Sequence, residues 1–107
     1  MDIALSTGHS PVDTRLMISG ELNIMVSESI PENIVALIDR NEPFDIDLKD
    51  LTDIDTFGVQ FLLIANRQAK TKEQPMRVIN VPTEHQELFK FLHLDKHFDW
   101  EPIHDNG

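Results

Sequence analysis

Five aspartates lie within eleven residues in the middle of the chain, and they form the first group that could do chemistry. They are Asp45, Asp47, Asp50, Asp53 and Asp55. Clustered carboxylates bind magnesium, and in receiver domains one of them accepts a phosphoryl group. Such a site also needs paired acids after a first strand, where Ser19-Gly20-Glu21 offers one carboxylate. The pattern therefore favours aspartates exposed to solvent on a strand and its turn over a metal site.

The histidines are the second group that could bind a metal. His93 and His97 have i, i+4 spacing and His104 follows them, which would suit zinc if this stretch were helical. The general-base Glu of a His-Glu-x-x-His motif is missing, and the chain has no cysteine. We therefore predict surface histidines, no metal and no cofactor. With no glycine-rich phosphate loop and no Ser-His-Asp motif, the chain is predicted not to be an enzyme.

The junction between Leu48 and Val59 joins a predicted strand to a predicted helix. A helix N-terminus presents unpaired amides and the positive end of the helix dipole, so it suits a phosphate group. Gly58 keeps the first turn open, and the hydroxyl of Thr56 would lie at or next to the N-cap. The simpler interpretation is that Asp55 or Thr56 only caps the helix.

Period-two alternation of apolar and polar residues predicts the strands that position this junction. The alternation from Val12 to Ser19 predicts a strand that ends at Gly20. Phe44 to Leu48 alternates in the same way, and Met76 to Val81 is rich in β-formers.

Apolar residues at helical spacing follow each of these strands. Ser29-x-x-Glu32 predicts a capping box for a helix that ends near Asn41, and apolar residues from Val59 to Ala69 predict a second helix. Thr83-x-x-Gln86 predicts the start of a third. The order β-α-β-α-β-α predicts an α/β or α+β fold with helices packed on a sheet.

Length and charge narrow the class of protein further. The 107 residues suit one domain over 1–107, with a core at about 12–98 and flexible ends at 1–11 and 102–107. A net charge of −10 argues against nucleic acid as a partner. The longest apolar stretch, Phe57 to Ala65, is far short of the ~18 residues of a membrane span, and the first residues do not resemble a signal peptide. We therefore expect a cytoplasmic protein without direct membrane insertion.

Three motifs resemble those of the STAS domain of anti-sigma-factor antagonists. Ile46-Asp47-Leu48 is followed by Ile54-Asp55-Thr56-Phe57-Gly58, similar to the family's apolar–Asp–Ser/Thr–small–Gly motif. Gly20-Glu21-Leu22-Asn23 is similar to a Gly-Glu-Leu-Asp motif after the first long strand. The third motif is Met76-Arg77-Val78-Ile79-Asn80 with the leucines that follow it.

The resemblance implies a mixed sheet of about four strands, with helices mainly on one side and no catalytic activity. It implies that a serine/threonine kinase phosphorylates Thr56, beside the motif residues Asp55 and Gly58, and that a phosphatase reverses this. The added phosphate would release a bound kinase or other signalling protein, which is partner switching. The alternative is a subunit that is not phosphorylated and docks on the ATPase of a membrane lipid transporter.

The partner interface is predicted around this loop and along the second helix. Apolar residues occur on more than one face of that helix, whereas packing on a sheet needs one apolar stripe. We predict that Phe57, Val59 and Leu63 form an exposed patch that binds the partner. The resemblance adds Glu21 and Asn23 to this interface.

Overall fold

The computed structural model describes residues 2–7, 14–22, 43–73 and 76–103. The strands are β1 (Asp2–Thr7), β2 (Thr14–Leu22), β3 (Phe44–Asp47), β4 (Leu51–Ile54), β5 (Met76–Val81) and β6 (Asp99–Pro102). The helices are α1 (Thr56–Thr71), α2 (Thr83–Phe91) and a 3₁₀ helix at Leu94–Lys96. The helix predicted between Ser29 and Asn41 lies outside the described residues.

The strands form one mixed sheet with the order β1-β2-β3-β5-β6. β2, β3, β5 and β6 run parallel to one another, and β1 is antiparallel to β2. β4 pairs in parallel with the last residues of β2, so β3 and β4 follow one another along that strand. The predicted α/β architecture is confirmed, with six strands in place of about four.

The strands differ from the sequence-based expectation in three places. β2 runs through Gly20 to Leu22, because Gly20 adopts a positive φ of 81° and absorbs an irregularity in the pairing with β4. The end predicted to be flexible contains β1, which pairs with β2 from Asp2↔Ser19 to Thr7↔Thr14. β6 adds an edge strand that ends at Pro102, a position where a missing N–H is tolerated.

The hydrophobic core lies between one face of the sheet and the described helices. From the sheet come Leu16, Ile18, Phe44, Ile46, Val78 and Val81, and from the helices Val59, Phe61, Leu62, Ala65, Ala69 and Phe89. Alternation along β2 and β3 directs their core residues to one face. In β5 the alternation is broken by the positive φ of Asn80, 56°, and by an irregularity in the pairing with β6, so Val78 and Val81 are both in the core although they are three residues apart. The spacing in α1 repeats once per turn. The described helices therefore pack on one side, as predicted.

The opposite face of the sheet carries a row of alternating charges. Arg15, Asp45, Arg77 and Asp99 are register partners across β2, β3, β5 and β6. Arg77 donates to Asp45 through Nε at 3.2 Å and Nη2 at 2.7 Å. This hydrogen bond with Asp45 is the main cause that raises the pKa of Arg77, and the nearby carboxylates of Asp45, Glu101 and Asp99 add to it.

The prediction that this part of the strand is exposed to solvent was wrong for Asp45 and Asp47. Each is 1% exposed. The two carboxylates accept hydrogen bonds from different arginines, since Arg15 Nη1 lies 3.5 Å from Asp47 Oδ2. Asp47 Oδ1 also accepts from the Lys49 N–H at 2.9 Å and from Asn80 Nδ2 at 3.1 Å. These bonds fix the turn that leads from β3 to β4.

Candidate functional site

The first turn of α1 follows directly from β4 and is capped by Asp55. Asp55 has an extended backbone, and its Oδ1 accepts a hydrogen bond from the Gly58 N–H at 2.9 Å. Its carbonyl oxygen accepts from the Val59 N–H at 3.0 Å. Of the two possible caps, the structure therefore selects Asp55.

Thr56 is the first helical residue, and its side chain is exposed. Because the cap is supplied by the Asp55 carboxylate, the hydroxyl of Thr56 is not needed for it. Gly58 is buried in the same turn. The sequence thus places an accessible hydroxyl beside the amides and the positive dipole end of a 16-residue helix.

The end of β2 lies beside this turn. Leu22 pairs with Ile54, the last residue of β4, and Glu21 pairs with Asp53. The side chains of Glu21 and Asp53 are exposed, so carboxylates flank the start of α1. Asn23 lies outside the described residues.

The predicted apolar patch does not form as expected. Val59 is 2% exposed and belongs to the core, so placing it on an exposed patch was wrong. Leu63 is half-buried and packs against the core, and the side chain of Phe57 lies outside the described part of the chain. The physical reason is that α1 is covered by the residues after α2 as well as by the sheet, so apolar residues on a second face are also covered.

An apolar cavity lies between α1 and the segment that follows α2. Its volume is about 330 Å³, and it is lined by Thr56, Val59, Gln60, Leu63, Leu92, Leu94 and His97. Val59 and Leu94 are buried, whereas Leu63 and Leu92 are half-buried. Thr56, which carries the hydroxyl, therefore lies at one end of this apolar cavity.

Sequence reasoning missed the contact that joins the two walls of this apolar cavity. Asn66 is 7% exposed, and its Nδ2 donates to the carbonyl oxygen of His97 at 2.8 Å. This bond ties the segment after α2 to the middle of α1. The available signal was an amide residue at the helical spacing of buried Leu62 and Ala69.

The candidate metal ligands do not come together. Asp45 and Asp47 are buried in ion pairs with arginines, Asp55 caps α1, and Asp50 and Asp53 are exposed. His93 has a left-handed backbone with φ 53°, so the His93–His97 spacing does not lie within an α-helix. In residues 2–7, 14–22, 43–73 and 76–103, no group of three or more His, Asp or Glu side chains could hold a metal ion.

A family model described as "Mlab, STAS domain" matches residues 5–102, nearly the whole chain. This chain belongs to that STAS family. The resemblance seen in the sequence motifs is thereby confirmed. No curated protein is similar enough in sequence to be matched with it.

Solved structures show the same STAS fold. A STAS domain protein of the anti-sigma-factor antagonist type from Planctomyces limnophilus is 15% identical with a TM-score of 0.76, covering 97% of this chain and 92% of that one. The anti-sigma factor antagonist SpoIIAA in its unphosphorylated form is 17% identical with a TM-score of 0.65, covering 97% and 90%. The phosphorylated form of SpoIIAA, a Bacillus cell fate determinant, is 18% identical with a TM-score of 0.64, covering 92% and 90%. None of the helices in the described part of this STAS domain is long and apolar enough to span a bilayer.

Proposed function

We propose that this STAS domain is a non-catalytic, cytoplasmic protein-binding module of the anti-sigma-factor-antagonist type, whose partner is released when Thr56 is phosphorylated. The observation that supports this most directly is the exposed Thr56 at the first position of α1, with the cap supplied separately by Asp55. A serine/threonine kinase would add the phosphate, and a phosphatase would remove it.

The geometry suits a phosphate that changes the surface and keeps the fold. The phosphate adds about −1.5 to −2 charges at the positive end of the helix dipole, where an anion is favourable. Asp55 can keep its hydrogen bond to Gly58, because the acceptor hydroxyl is not part of the cap.

Release then follows from charge. The start of α1 already carries the carboxylates of Asp55, Asp53 and Glu21 on a chain with a net charge of −10. A phosphate there increases the negative potential at the edge of the apolar cavity. A partner seated on this surface would have to desolvate the new charge, which opposes binding.

A second candidate is a subunit that docks on the ATPase of a membrane lipid transporter without being phosphorylated. It stays open because the matched family model is described as Mlab rather than as an anti-sigma factor antagonist. The same surface would serve both functions, and the partner and the role of Thr56 would differ.

Capture of the partner followed by a kinase reaction distinguishes the two candidates. We expect a serine/threonine kinase to be captured and to modify Thr56, as detected by mass spectrometry. Thr56→Ala should abolish the modification, and Thr52→Ala, at another exposed threonine, should leave it intact. Thr56→Glu should weaken binding, but less than phosphorylation does, because a glutamate supplies about one charge.

The matched neutral control is Thr56→Gln, which has the size of the glutamate variant without its charge. Modification at Thr52, or none in a reaction where a control substrate is modified, would remove the switch. Capture of an ATPase whose binding ignores Thr56→Glu would support the second candidate.

A further inference from the structure

One stripe of α1 runs from the proposed switch to a basic end. Thr56, Gln60, Leu63, Arg67 and Lys70 follow one another at alternating spacings of four and three residues, which places them on one side of the helix. From Thr56 to Lys70 the helix rises about 21 Å. This side of α1 faces the segment that follows α2.

A basic cavity continues the apolar cavity along this stripe. Its volume is about 230 Å³, and it is lined by Leu63, Asn66, Arg67, Lys70 and His97. Leu63 and His97 line both cavities, so the two lie side by side along α1, and together they are called the groove below. The Asn66–His97 bond fixes the opposite wall against α1. The groove is therefore a built feature of the fold rather than a gap at a loose segment.

The charge of this groove is opposite to that of the chain. The chain carries 19 acidic residues, yet none of the described residues that line either cavity is acidic. The exposed cations Arg67 and Lys70 lie at one end, while Arg15 and Arg77 pair with aspartates in the sheet. Apolar side chains occupy the middle.

We infer that the groove binds an amphipathic helix of the partner, with its apolar residues over the apolar cavity and acidic residues against Arg67 and Lys70. This inference rests on the proposed function and names the chemistry of the partner segment. Charge complementarity argues for the acidic end, and leucine-like side chains match the half-buried Leu63 and Leu92. The 21 Å stripe corresponds to about 14 residues of partner helix.

The basic end and the switch can be tested separately. Arg67 lies eleven residues after Thr56 on the same helix, a rise of about 16 Å. This is about two Debye lengths at physiological ionic strength, so a charge change at one end has little effect at the other. A phosphate on Thr56 opposes binding of the partner helix at that end of the stripe. At the other end, Arg67 and Lys70 favour a partner helix with acidic residues.

The test uses two synthetic helical peptides of about 14 residues, with capped termini and leucines at every third or fourth position. One carries glutamates at one end, and its twin carries lysines there. Binding is followed by NMR through the amide signals of Leu63, Leu92 and His97 in the full chain at near-physiological salt. We expect saturable shifts with the acidic peptide and affinity at least about fivefold weaker for the basic twin.

Arg67→Glu with Lys70→Glu should reverse this order. The matched control is Lys49→Glu with Lys90→Glu, which makes the same charge change at residues that line neither cavity and should keep the order. Thr56→Glu should also keep it. Absence of saturable shifts, a preference of the unaltered chain for the basic peptide, or an unchanged order in the Arg67/Lys70 variant would overturn the inference. None of these measurements uses a kinase. The proposed phosphorylation of Thr56 can therefore be wrong while the preference for the acidic peptide is found, and the preference can be absent while Thr56 is phosphorylated.

Discussion

Val59 provides a sharp test of the reasoning, because the sequence and the structure give it opposite roles. As part of an exposed patch, it would tolerate truncation with little loss of stability. In the structure it is 2% exposed and packs in the core. Val59→Ala removes two buried methyl groups at about 0.8 kcal/mol each, and the cavity that remains adds to this. Because Val59 also borders the open apolar cavity, the added cavity contribution should be small, and we expect the free energy of unfolding to fall by about 2 kcal/mol.

The matched variant is Leu63→Ala, one turn further along α1. Leu63 is half-buried, so truncation should cost about 1 kcal/mol in the free energy of unfolding. For partner binding the order of the two variants should be the opposite of their order in stability. Leu63→Ala should weaken partner binding more than Val59→Ala does when both are measured well below their melting temperatures, because Leu63 is half-buried and Val59 is 2% exposed.

Urea unfolding gives both values, with Trp100 as the reporter. Trp100 is the single tryptophan of the chain, is half-buried, and lies with its ring centroid 5.3 Å from that of Phe89. The midpoint should fall at an unchanged slope. A loss below about 0.5 kcal/mol for Val59→Ala, or a larger loss for Leu63→Ala, would refute the described packing of α1.

Three further predictions concern contacts that position the groove and the sheet. Asp55→Ala should lower the free energy of unfolding by about 1 kcal/mol in urea, and Asp55→Asn, which can still cap, should recover most of it. Arg77→Met leaves the buried Asp45 carboxylate without its main partner and should lower the free energy of unfolding by about 2–3 kcal/mol. Asp45→Asn added to the same chain should restore part of this loss, as measured in a double-mutant cycle. Asn66→Ala should cost about 1 kcal/mol and speed amide hydrogen exchange at residues 94–98, while exchange in β5 stays unchanged.

The start of α1 could be predicted because the signals there are local. An Asp-Thr pair with a glycine three residues after the aspartate, placed before apolar residues at helical spacing, indicates a capped helix wherever the helix packs. The choice between Asp55 and Thr56 as the cap depends on the backbone angle at which the chain leaves β4. That angle is set by the pairing of β4 with β2, which the local sequence does not encode.

Burial of the polar face and of Val59 depends on what packs from elsewhere in the chain. Alternation along β3 shows that Asp45 and Asp47 share one face, but it is the same whether that face meets water or arginines from neighbouring strands. In the same way, the apolar residues of α1 indicate more than one covered face. The residues that cover this face are Leu92, Leu94 and His97, which come after α2. The segment is too short to show a periodic pattern that would predict its position in the fold.

The row of alternating charges on the sheet also determines how the strands can align during folding. If β5 slipped by one residue against β3, Arg77 would turn toward the helices and enter the hydrophobic core without a carboxylate. A slip by two residues in one direction would place Arg77 opposite Asp47, whose carboxylate already accepts hydrogen bonds from Arg15 and the Lys49 N–H, and it would leave Asp45 without its bidentate partner. The bidentate Asp45–Arg77 pair is therefore satisfied in one alignment of these parallel strands. The row selects the native alignment among competing ones, even where its contribution to the final stability is small.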